Sequence, residues 1–408
     1  MNARHEQSGL VDLALFGGRK RFAVPKSTSN LVQPSIERFL DYARPMFDAP
    51  GNASGGTGVV AARLETRLAQ FHEVARCVTF CSGFWALATS IAELARPGRR
   101  EVVMPSLTYR RMADVVAWTR LVPRFCEVDP ATLAISAETA AACIGTDTAL
   151  LLAVHPIVNC CDASGLVELA ADSGLPLLFD GVESVYERCT DGRGVSRKVG
   201  AFGDAECFSL HASKLVNGFE GGYVTTDNEA LADRLVALRD GGLVAPGALD
   251  ARLSDVHAAM ALANLDELDA QVERNRSRYA RYRRALSGVA GIRLVAFDES
   301  QPTSYKNIVV ELLDDWPLPR ALTIEILNAE NVLARAYYAP PLHSKPMAYP
   351  YVPAVLPVTD RLAERFMLLP CGEFVTLDDI DAVVDLLAFM RAHAQPILGA
   401  DAARRAMR

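Results

Sequence analysis

Short apolar runs alternate with helix-like segments from about residue 78 to residue 226. The segments between the runs place apolar residues at spacings of three and four, which is the period of a helix. The runs themselves are apolar at almost every position, as is typical of strands buried on both faces of a mostly parallel sheet. The pattern therefore predicts one large α/β domain with a seven-stranded sheet. The predicted strands are CVTFCSG, EVVMPSL, LVPRFCEVD, ALLLAVHP, LPLLFDGVES, AECFSLH and GGYVTTD.

The pattern changes after about Gly247. Residues 254–288 are predicted to form one long helix, with Ser254 or Asp255 as its N-cap and Gly288 at its end. The second half of this segment is heavily charged, as expected of a helix that connects two domains. Beyond it, YKNIVVELL, RALTIEILNAENV and DDIDAVVDLLAFMRAH predict a smaller α+β domain.

The length of 408 residues is more than one hydrophobic core usually serves, so we expect two domains. An N-terminal segment is predicted at residues 1–50 and the large domain at residues 51–250. The connecting helix and the small C-terminal domain are predicted at residues 251–408.

Composition and charge limit the classes of partner. The net charge is −7 and the only notable basic cluster is the C-terminal RRAMR, so nucleic acid is not expected as a partner. The sequence has no run of about 18 uncharged apolar residues and no signal-peptide core near its start, so we expect no membrane association. The nine cysteines lack metal-ligand spacing, which favours buried free thiols in a reducing compartment over a metal site. We therefore expect a cytoplasmic protein without a bound metal.

Two charged residues follow predicted strands, where open α/β sheets bind their ligands. Asp180 ends the run LPLLFD, and its carboxylate could either cap a following helix or hold a protonated ring nitrogen. Lys214 follows AECFSL and precedes a glycine-rich segment. It could be a solvated loop lysine, or a partly desolvated amine that forms a Schiff base.

Two further features lie at strand ends. Ser82-Gly83 is at a strand-to-helix turn, where free backbone N–H groups and the helix dipole favour phosphate, although a lone turn of this kind is weak evidence. Tyr109 could stack on a planar ring or belong to the core. Taken together, a ring-nitrogen partner, an amine, a phosphate cradle and a stacking face are what pyridoxal 5′-phosphate requires.

From about Leu13 to Pro396 the sequence resembles the DegT/DnrJ/EryC1/StrS family of pyridoxal-phosphate-dependent sugar aminotransferases. The segments that carry the resemblance are VDLALFGG, VGAFGDAECFSLHASKLVNGFEGGYVTTD and RAYYAPPLHSKPMAY. The resemblance implies fold type I, a homodimer with shared active sites, and transfer of an amino group from L-glutamate to a nucleotide-linked 4-keto-6-deoxy sugar.

The resemblance also implies roles for single residues. Lys214 matches the lysine that forms the Schiff base and shuttles the proton, and Asp180 matches the partner of the pyridine nitrogen. Glu183 matches a position beside the 3-hydroxyl group of the cofactor, where the family usually has Gln, His or Glu. The remaining matches are Gly83, Phe84 and Ser209 at the phosphate, Tyr109 on the ring, and His343 on the substrate side.

Several positions depart from the family pattern. Phe84 replaces a threonine, which removes a hydroxyl contact with the phosphate. Asp250 stands where relatives often have an asparagine that reaches the phosphate of the neighbouring subunit. The segments DGVES and HPIVN, near the substrate, also differ from the usual DAAQ/H and H-x-Y/W-G.

These departures leave alternatives open. The protein could aminate a non-nucleotide ketone such as a cyclitol, or catalyse an elimination, although the dehydrating relatives have histidine in place of the lysine. It could also be a non-catalytic partner of a related enzyme, but that role would not require Lys214, Asp180 and Ser209 together.

Overall fold

The computed structural model describes residues 12–48, 58–190, 194–241 and 249–407. Thirteen strands are described: β1 (Arg76–Phe80), β2 (Glu101–Pro105), β3 (Val122–Cys126), β4 (Thr148–Val154), β5 (Leu177–Asp180), β6 (Arg188–Thr190), β7 (Ser196–Lys198), β8 (Ala205–Ser209), β9 (Gly222–Thr226), β10 (Ile292–Leu294), β11 (Ile308–Leu312), β12 (Arg335–Ala336) and β13 (Phe366–Leu369).

The same residues include fourteen α-helices and two short 3-10 helices. The α-helices are α1 (Ile36–Ala43), α2 (Pro45–Asp48), α3 (Val59–His72), α4 (Gly83–Leu94), α5 (Met112–Trp118), α6 (Ala137–Ala141), α7 (Ala163–Ser173), α8 (Glu229–Arg239), α9 (Asp255–Asp266), α10 (Leu268–Leu286), α11 (Arg320–Ala329), α12 (Pro357–Ala363), α13 (Leu377–Ala392) and α14 (Ala394–Ala406). The 3-10 helices are Ala14–Phe16 and Leu342–Ser344.

A seven-stranded sheet has the order β1-β9-β8-β5-β4-β2-β3. β9 runs antiparallel to both of its neighbours, and the other pairs are parallel. Each of the seven strands coincides with one of the predicted apolar runs. The predicted α/β fold with a mostly parallel seven-stranded sheet is therefore confirmed.

Alternate residues of the central strands enter two different hydrophobic cores. In β4, Leu150 and Leu152 lie in a core with residues of α4, α5 and α8, whereas Leu151 and Ala153 lie in a core with residues of α3, α7 and α9. All four side chains are fully buried. Because side chains alternate along a strand, burial on both faces explains the continuous apolar runs in the sequence.

The C-terminal part of the chain forms a four-stranded antiparallel sheet in the order β10-β11-β13-β12. Residues of α10, α11 and α13 share its hydrophobic core. This arrangement agrees with the predicted α+β character of the C-terminal part. The boundary predicted between residues 50 and 51 lies outside the described residues, and the division into domains stays a prediction.

The prediction of one continuous helix over residues 254–288 is wrong. The structure has two helices, α9 and α10, which are separated at Glu267 with φ −106° and ψ 4°. Asp266 accepts hydrogen bonds from Tyr42 at 2.7 Å and from Arg67 at 2.9 Å, and Arg38 lies 3.2 Å from the Glu267 carboxylate. These contacts with α1 and α3 stabilise the change of direction, although the sequence has neither glycine nor proline there.

Candidate active site

Asp180 is the last residue of β5, at the carboxyl end of the central sheet. One of its carboxylate oxygens accepts a hydrogen bond from the Val182 N–H at 3.0 Å, which fixes the side chain. Burial raises the pKa of Asp180 to about 6, although the positive charge of Lys214 opposes this shift. A carboxyl group in this setting favours a cationic ligand, because a positive charge replaces the lost hydration.

Lys214 lies in the loop between β8 and β9, and backbone hydrogen bonds hold this loop closed. The Leu210 N–H donates to the Gly221 carbonyl at 2.9 Å, and the Ala212 N–H donates to the Phe219 carbonyl at 2.9 Å. The Lys214 side chain is 23% exposed, so its amine faces the site without being fully solvated.

Steric constraints explain the glycine just before β9. Gly221 has φ 128°, a region that side chains other than glycine rarely adopt, and a Cβ there would lie 2.7 Å from Leu253. The chain can therefore turn back into β9 only with glycine at this position.

Glu183 follows Asp180 by three residues and bridges two lysines. Its Oε1 lies 2.5 Å from Lys214 Nζ, and its Oε2 lies 2.7 Å from Lys306 Nζ. Burial would raise the pKa of Glu183, but the two lysines hold it well below its usual range. Burial likewise lowers the pKa of Lys214, yet Glu183, Asp180 and Tyr109 together outweigh burial and give a net upward shift.

A candidate phosphate cradle lies at the start of α4. Ser82 caps the helix by accepting a hydrogen bond from the Trp85 N–H at 3.4 Å. The first N–H groups of a helix have no acceptor within the helix, so they are available to an anion. A Cβ on Gly83 would lie 3.2 Å from the Ser209 Cβ, and a Cβ on Gly222 would lie 2.5 Å from the Gly83 Cα. Glycine at position 222 allows this approach, which leaves the helix N-terminus beside the Ser209 hydroxyl.

The ring of Phe84 packs against two tryptophans, at 5.2 Å from Trp85 and 5.9 Å from Trp118. Phe84 can therefore offer a phosphate its backbone N–H but no side-chain hydroxyl. Tyr109 is 49% exposed in the loop after β2, and its hydroxyl is among the groups that act electrostatically on Lys214. The structure thus brings Tyr109 to the same end of the sheet as Lys214.

Both ring nitrogens of His343 contact protein groups. Nδ1 lies 2.7 Å from the Ser106 hydroxyl, and Nε2 lies 3.3 Å from the Asp360 carboxylate. Its side chain is only 6% exposed. His343 therefore anchors the loop that leads to Tyr109, and its predicted contact with the substrate stays a prediction.

Asp250 is exposed and points towards a cation of its own segment. Its carboxylate lies 3.3 Å from the Arg252 guanidinium, and its side chain is 81% exposed. This pairing partly neutralises the negative charge of Asp250.

Three residues of types that bind metals meet just beyond the end of β4, which the scattered cysteines of the sequence did not indicate. His155, Cys160 and Cys189 have ligand atoms within 4.8 Å of one another. His155 Nδ1 accepts a hydrogen bond from the Cys161 N–H at 3.3 Å, and the Cys160 thiol lies 3.9 Å from the Arg188 carbonyl. These two side chains thus already have partners within the protein. All nine cysteines are free thiols.

Sequence analysis missed two residues of the site. Lys306 lies in the run YKNIVVELL, which indicated only a part of the smaller α+β domain, and its side chain is 3% exposed. Tyr338 interacts electrostatically with the same carboxyl groups, Asp180 and Glu183. A lysine two residues before an apolar strand was the available signal for Lys306.

The residues present fit pyridoxal phosphate. Asp180 could hold its ring nitrogen, Lys214 its carbonyl carbon, and the start of α4 with Ser209 its phosphate. The fit rests on the Gly83–Gly222 approach, which keeps the helix N-terminus open, and on the buried carboxyl group of Asp180. The individual roles remain predictions.

Comparison with known proteins identifies the family. The DegT/DnrJ/EryC1/StrS aminotransferase family matches residues 51–388. GDP-perosamine synthase of Vibrio cholerae is 27% identical over 337 residues, which cover 80% of this chain and 89% of that protein. An L-glutamine:2-deoxy-scyllo-inosose aminotransferase of Streptomyces fradiae is 33% identical over 301 residues, which cover 66% of this chain and 68% of that protein.

A solved structure is similar over nearly the whole chain. The crystal structure of DesI in the presence of its TDP-sugar product matches with a TM-score of 0.84 and 31% identity. The match covers 98% of this chain and all of that one.

Proposed function

The chain belongs to the DegT/DnrJ/EryC1/StrS aminotransferase family, and from this premise we propose that it aminates a nucleotide-linked 4-keto-6-deoxy sugar with L-glutamate as the donor. It is a pyridoxal-phosphate-dependent aminotransferase. The observation that carries the proposal is the meeting of Lys214, Asp180 and the α4 cradle at one end of the sheet. The substrate class is supported by GDP-perosamine synthase and by DesI with its TDP-sugar product.

Each residue has a physical task in this proposal. The cofactor supplies an electron sink for the carbon that carries the amino group. Lys214 Nζ takes the proton from that carbon, which requires an amine that is partly desolvated and near the cofactor. Asp180 keeps the proton on the ring nitrogen, and the N–H groups of α4 with Ser209 bind the phosphate.

A cyclitol ketone is a second candidate substrate. The 33% identical relative is named as an aminotransferase of 2-deoxy-scyllo-inosose with L-glutamine as donor. The segments DGVES and HPIVN differ from the usual family pattern near the substrate, which fits a change of substrate.

A substrate panel tests the proposal. The purified protein, loaded with the amino form of the cofactor, is offered keto-sugar nucleotides and cyclitol ketones, and the products are identified by mass spectrometry. We expect an aminated sugar nucleotide as the main product. Amination of the cyclitol alone supports the second candidate, and a protein that aminates neither class contradicts both.

A variant tests the catalytic assignment. We expect Lys214→Ala to lose turnover by at least about 10³-fold and to lose the visible absorbance of the lysine-bound cofactor, since no other amine replaces Nζ. Lys20→Ala is the matched control, because Lys20 is an exposed lysine near the N-terminus. Turnover and absorbance that survive in Lys214→Ala contradict the assignment.

We also propose that the protein is a cytoplasmic homodimer in which the partner chain completes each site. Free thiols at all nine cysteines support a reducing compartment. Exposed aromatic side chains beside the site, Tyr109 and Phe219, support a protein interface there. No helix in the described part of the chain is long and apolar enough to cross a membrane.

A further inference from the structure

Glu183 holds two ammonium groups at once, and one of them is not needed for the proposed proton transfer. Lys214 and Lys306 each contact a different oxygen of its carboxylate, at 2.5 Å and 2.7 Å. Asn307 Nδ2 adds a hydrogen bond to the second oxygen at 3.2 Å. The second oxygen is therefore fixed by two groups that do not depend on Lys214.

Lys306 reaches the site from the C-terminal part of the chain, two residues before β11. The segment around it is tied to the loop that follows β5: the Ser304 N–H and hydroxyl donate to the Glu187 carboxylate at 3.0 and 2.9 Å. Asn307 Nδ2 also lies 3.4 Å from the Ile157 carbonyl. Lys306 is thus held in place by its neighbours and is not a mobile surface cation.

The pKa shifts of Lys306 and Lys214 show which neighbouring charges act on each amine. Burial lowers the pKa of Lys306, Glu183 opposes this shift, and Lys214 adds to it by repulsion. The buried thiol of Cys371 also faces Lys306, but burial raises its pKa to about 11 and leaves it neutral near pH 7. Lys214 in turn faces Glu183, Asp180 and Tyr109.

We propose that Lys306 is a positioning residue that keeps Glu183 ionised and fixed both when Lys214 pairs with it and when Lys214 turns to the cofactor. The inference rests on the proposed function of Lys214. Without Lys306, the departure of Lys214 would leave a buried carboxylate without a cation, and such a group takes up a proton. With Lys306 present, Glu183 keeps its charge and its orientation beside the cofactor.

The same arrangement makes the two lysines compete for one carboxylate. Without Lys306, Lys214 is the only lysine that pairs with Glu183, and the charge that repels Lys214 is absent. The proton on Lys214 is therefore held more tightly. Removal of the Glu183 charge has the opposite effect, because both ammonium groups then lose the carboxylate that they share. The reactivity of the Lys214 amine in the apoenzyme therefore measures how the two lysines share the Glu183 carboxylate.

The experiment measures competitive acetylation of the apoenzyme over a pH series, with the Lys214 peptide quantified by mass spectrometry. The variants are Lys306→Met, Glu183→Gln and the double variant. Lys26→Met is the matched control, since Lys26 is also a buried lysine, 2.7 Å from Asp379, but lies outside the site. Melting temperatures are recorded for all variants.

We expect Lys306→Met to lower the acetylation of Lys214 about tenfold at a fixed pH below its midpoint, which corresponds to a midpoint about one pH unit higher. Glu183→Gln is expected to raise the acetylation of Lys214, and the double variant is expected to lie within about threefold of Glu183→Gln, because Lys306 then has no carboxylate to act through. Lys26→Met is expected to lower the melting temperature without changing the acetylation profile of Lys214.

Two outcomes would overturn the inference. One is a Lys214 profile in Lys306→Met that equals the profile of Lys26→Met. The other is an effect of Lys306→Met that is as large in the Glu183→Gln background as in the natural protein, because Lys306 would then not act through this carboxylate. If Lys306→Met does not fold, Glu183→Gln still tests the arrangement, and a Lys214 profile equal to that of the natural protein then contradicts it.

The experiment separates this inference from the proposed function. Acetylation of the apoenzyme needs neither cofactor nor substrate, so it can contradict the role of Lys306 while Lys214 remains the cofactor lysine. Retained cofactor absorbance in Lys214→Ala would instead contradict the proposed function and leave the acetylation result unchanged.

Discussion

At the scale of a residue, the buried Asp180 lowers the stability of the folded protein near neutral pH, although the proposed function needs its carboxylate. Burial raises its pKa from 3.8 to about 6 in the folded protein. The folded state therefore keeps this proton to a higher pH than the unfolded state does, and stability falls as the pH rises from about 4 to about 6. The difference between the two pKa values corresponds to about 3 kcal/mol.

We therefore expect Asp180→Asn to remove this fall in the apoenzyme and to make it more stable than the natural protein near pH 7. Urea unfolding at pH values below and above the transition measures the effect. The exposed Asp233→Asn, whose carboxylate pairs with Arg76 at the surface, serves as the control. A natural apoenzyme whose stability does not decrease between these pH values relative to Asp180→Asn would contradict the prediction. The same variant should bind the cofactor more weakly, because a neutral amide cannot balance a protonated ring nitrogen.

The sequence was informative about site residues that adjoin strand ends, and less so about residues brought in from elsewhere. Asp180 and Lys214 follow apolar runs that indicate strands by themselves, so their meeting at one edge of the sheet could be predicted. Lys306 is 123 positions from Glu183, and no local pattern relates the two. Such a charge pair becomes visible only when the C-terminal part of the chain is placed on the large sheet.

At the scale of elements, the strands were predictable because burial on both faces leaves a continuous apolar run. The short hairpin of β6 and β7 was not predicted, since its strands have three residues each, with only one buried position between them. The break between α9 and α10 was missed for another reason. The partners of Asp266, namely Tyr42 and Arg67, lie 224 and 199 positions away, so the helical period continues through the break.

The contact of β9 with α4 gives a prediction about elements. A Cβ on Gly222 would lie 2.5 Å from the Gly83 Cα and 2.6 Å from its nitrogen, and backbone atoms cannot move aside as a side chain can. We expect Gly222→Ala to destabilise the protein by about 1–3 kcal/mol and to weaken phosphate binding by displacing the start of α4.

Chemical unfolding of the apoenzyme and titration with cofactor measure the two effects. Gly145→Ala is the control, because a Cβ there meets no atom within 4 Å. Equal stability and equal cofactor affinity in the two variants would show that the approach of β9 to α4 does not shape the cradle.

At the scale of the whole molecule, the site is assembled by segments that cross from the C-terminal part to the large sheet. The Leu342 N–H donates to the Ser106 carbonyl at 2.9 Å, and the Val352 N–H donates to the Pro123 carbonyl at 2.9 Å. His343 adds its bond to the Ser106 hydroxyl, and Lys306 reaches Glu183. A shift of the C-terminal part relative to the sheet would therefore change the position of Glu183 and of the Tyr109 loop together.

The exposed aromatic residues at the same end of the sheet lead to the prediction about assembly. Tyr109 is 49% exposed and Phe219 is 43% exposed, and both lie in loops beside Lys214. Burial of such side chains by a second chain stabilises a dimer. We expect the protein to sediment at twice its chain mass of 44.2 kDa. We expect Phe219→Asp to weaken the dimer at least about tenfold, since a carboxylate would be buried in the interface.

Phe374→Asp is the matched control, because Phe374 is 61% exposed but lies in the turn before α13. Sedimentation over a dilution series, with turnover measured on the same samples, connects assembly to function. If the partner chain completes the site, turnover should fall with the dimer fraction in Phe219→Asp and stay constant in Phe374→Asp. A natural protein that sediments as a monomer with full turnover would show that one chain contains the whole site.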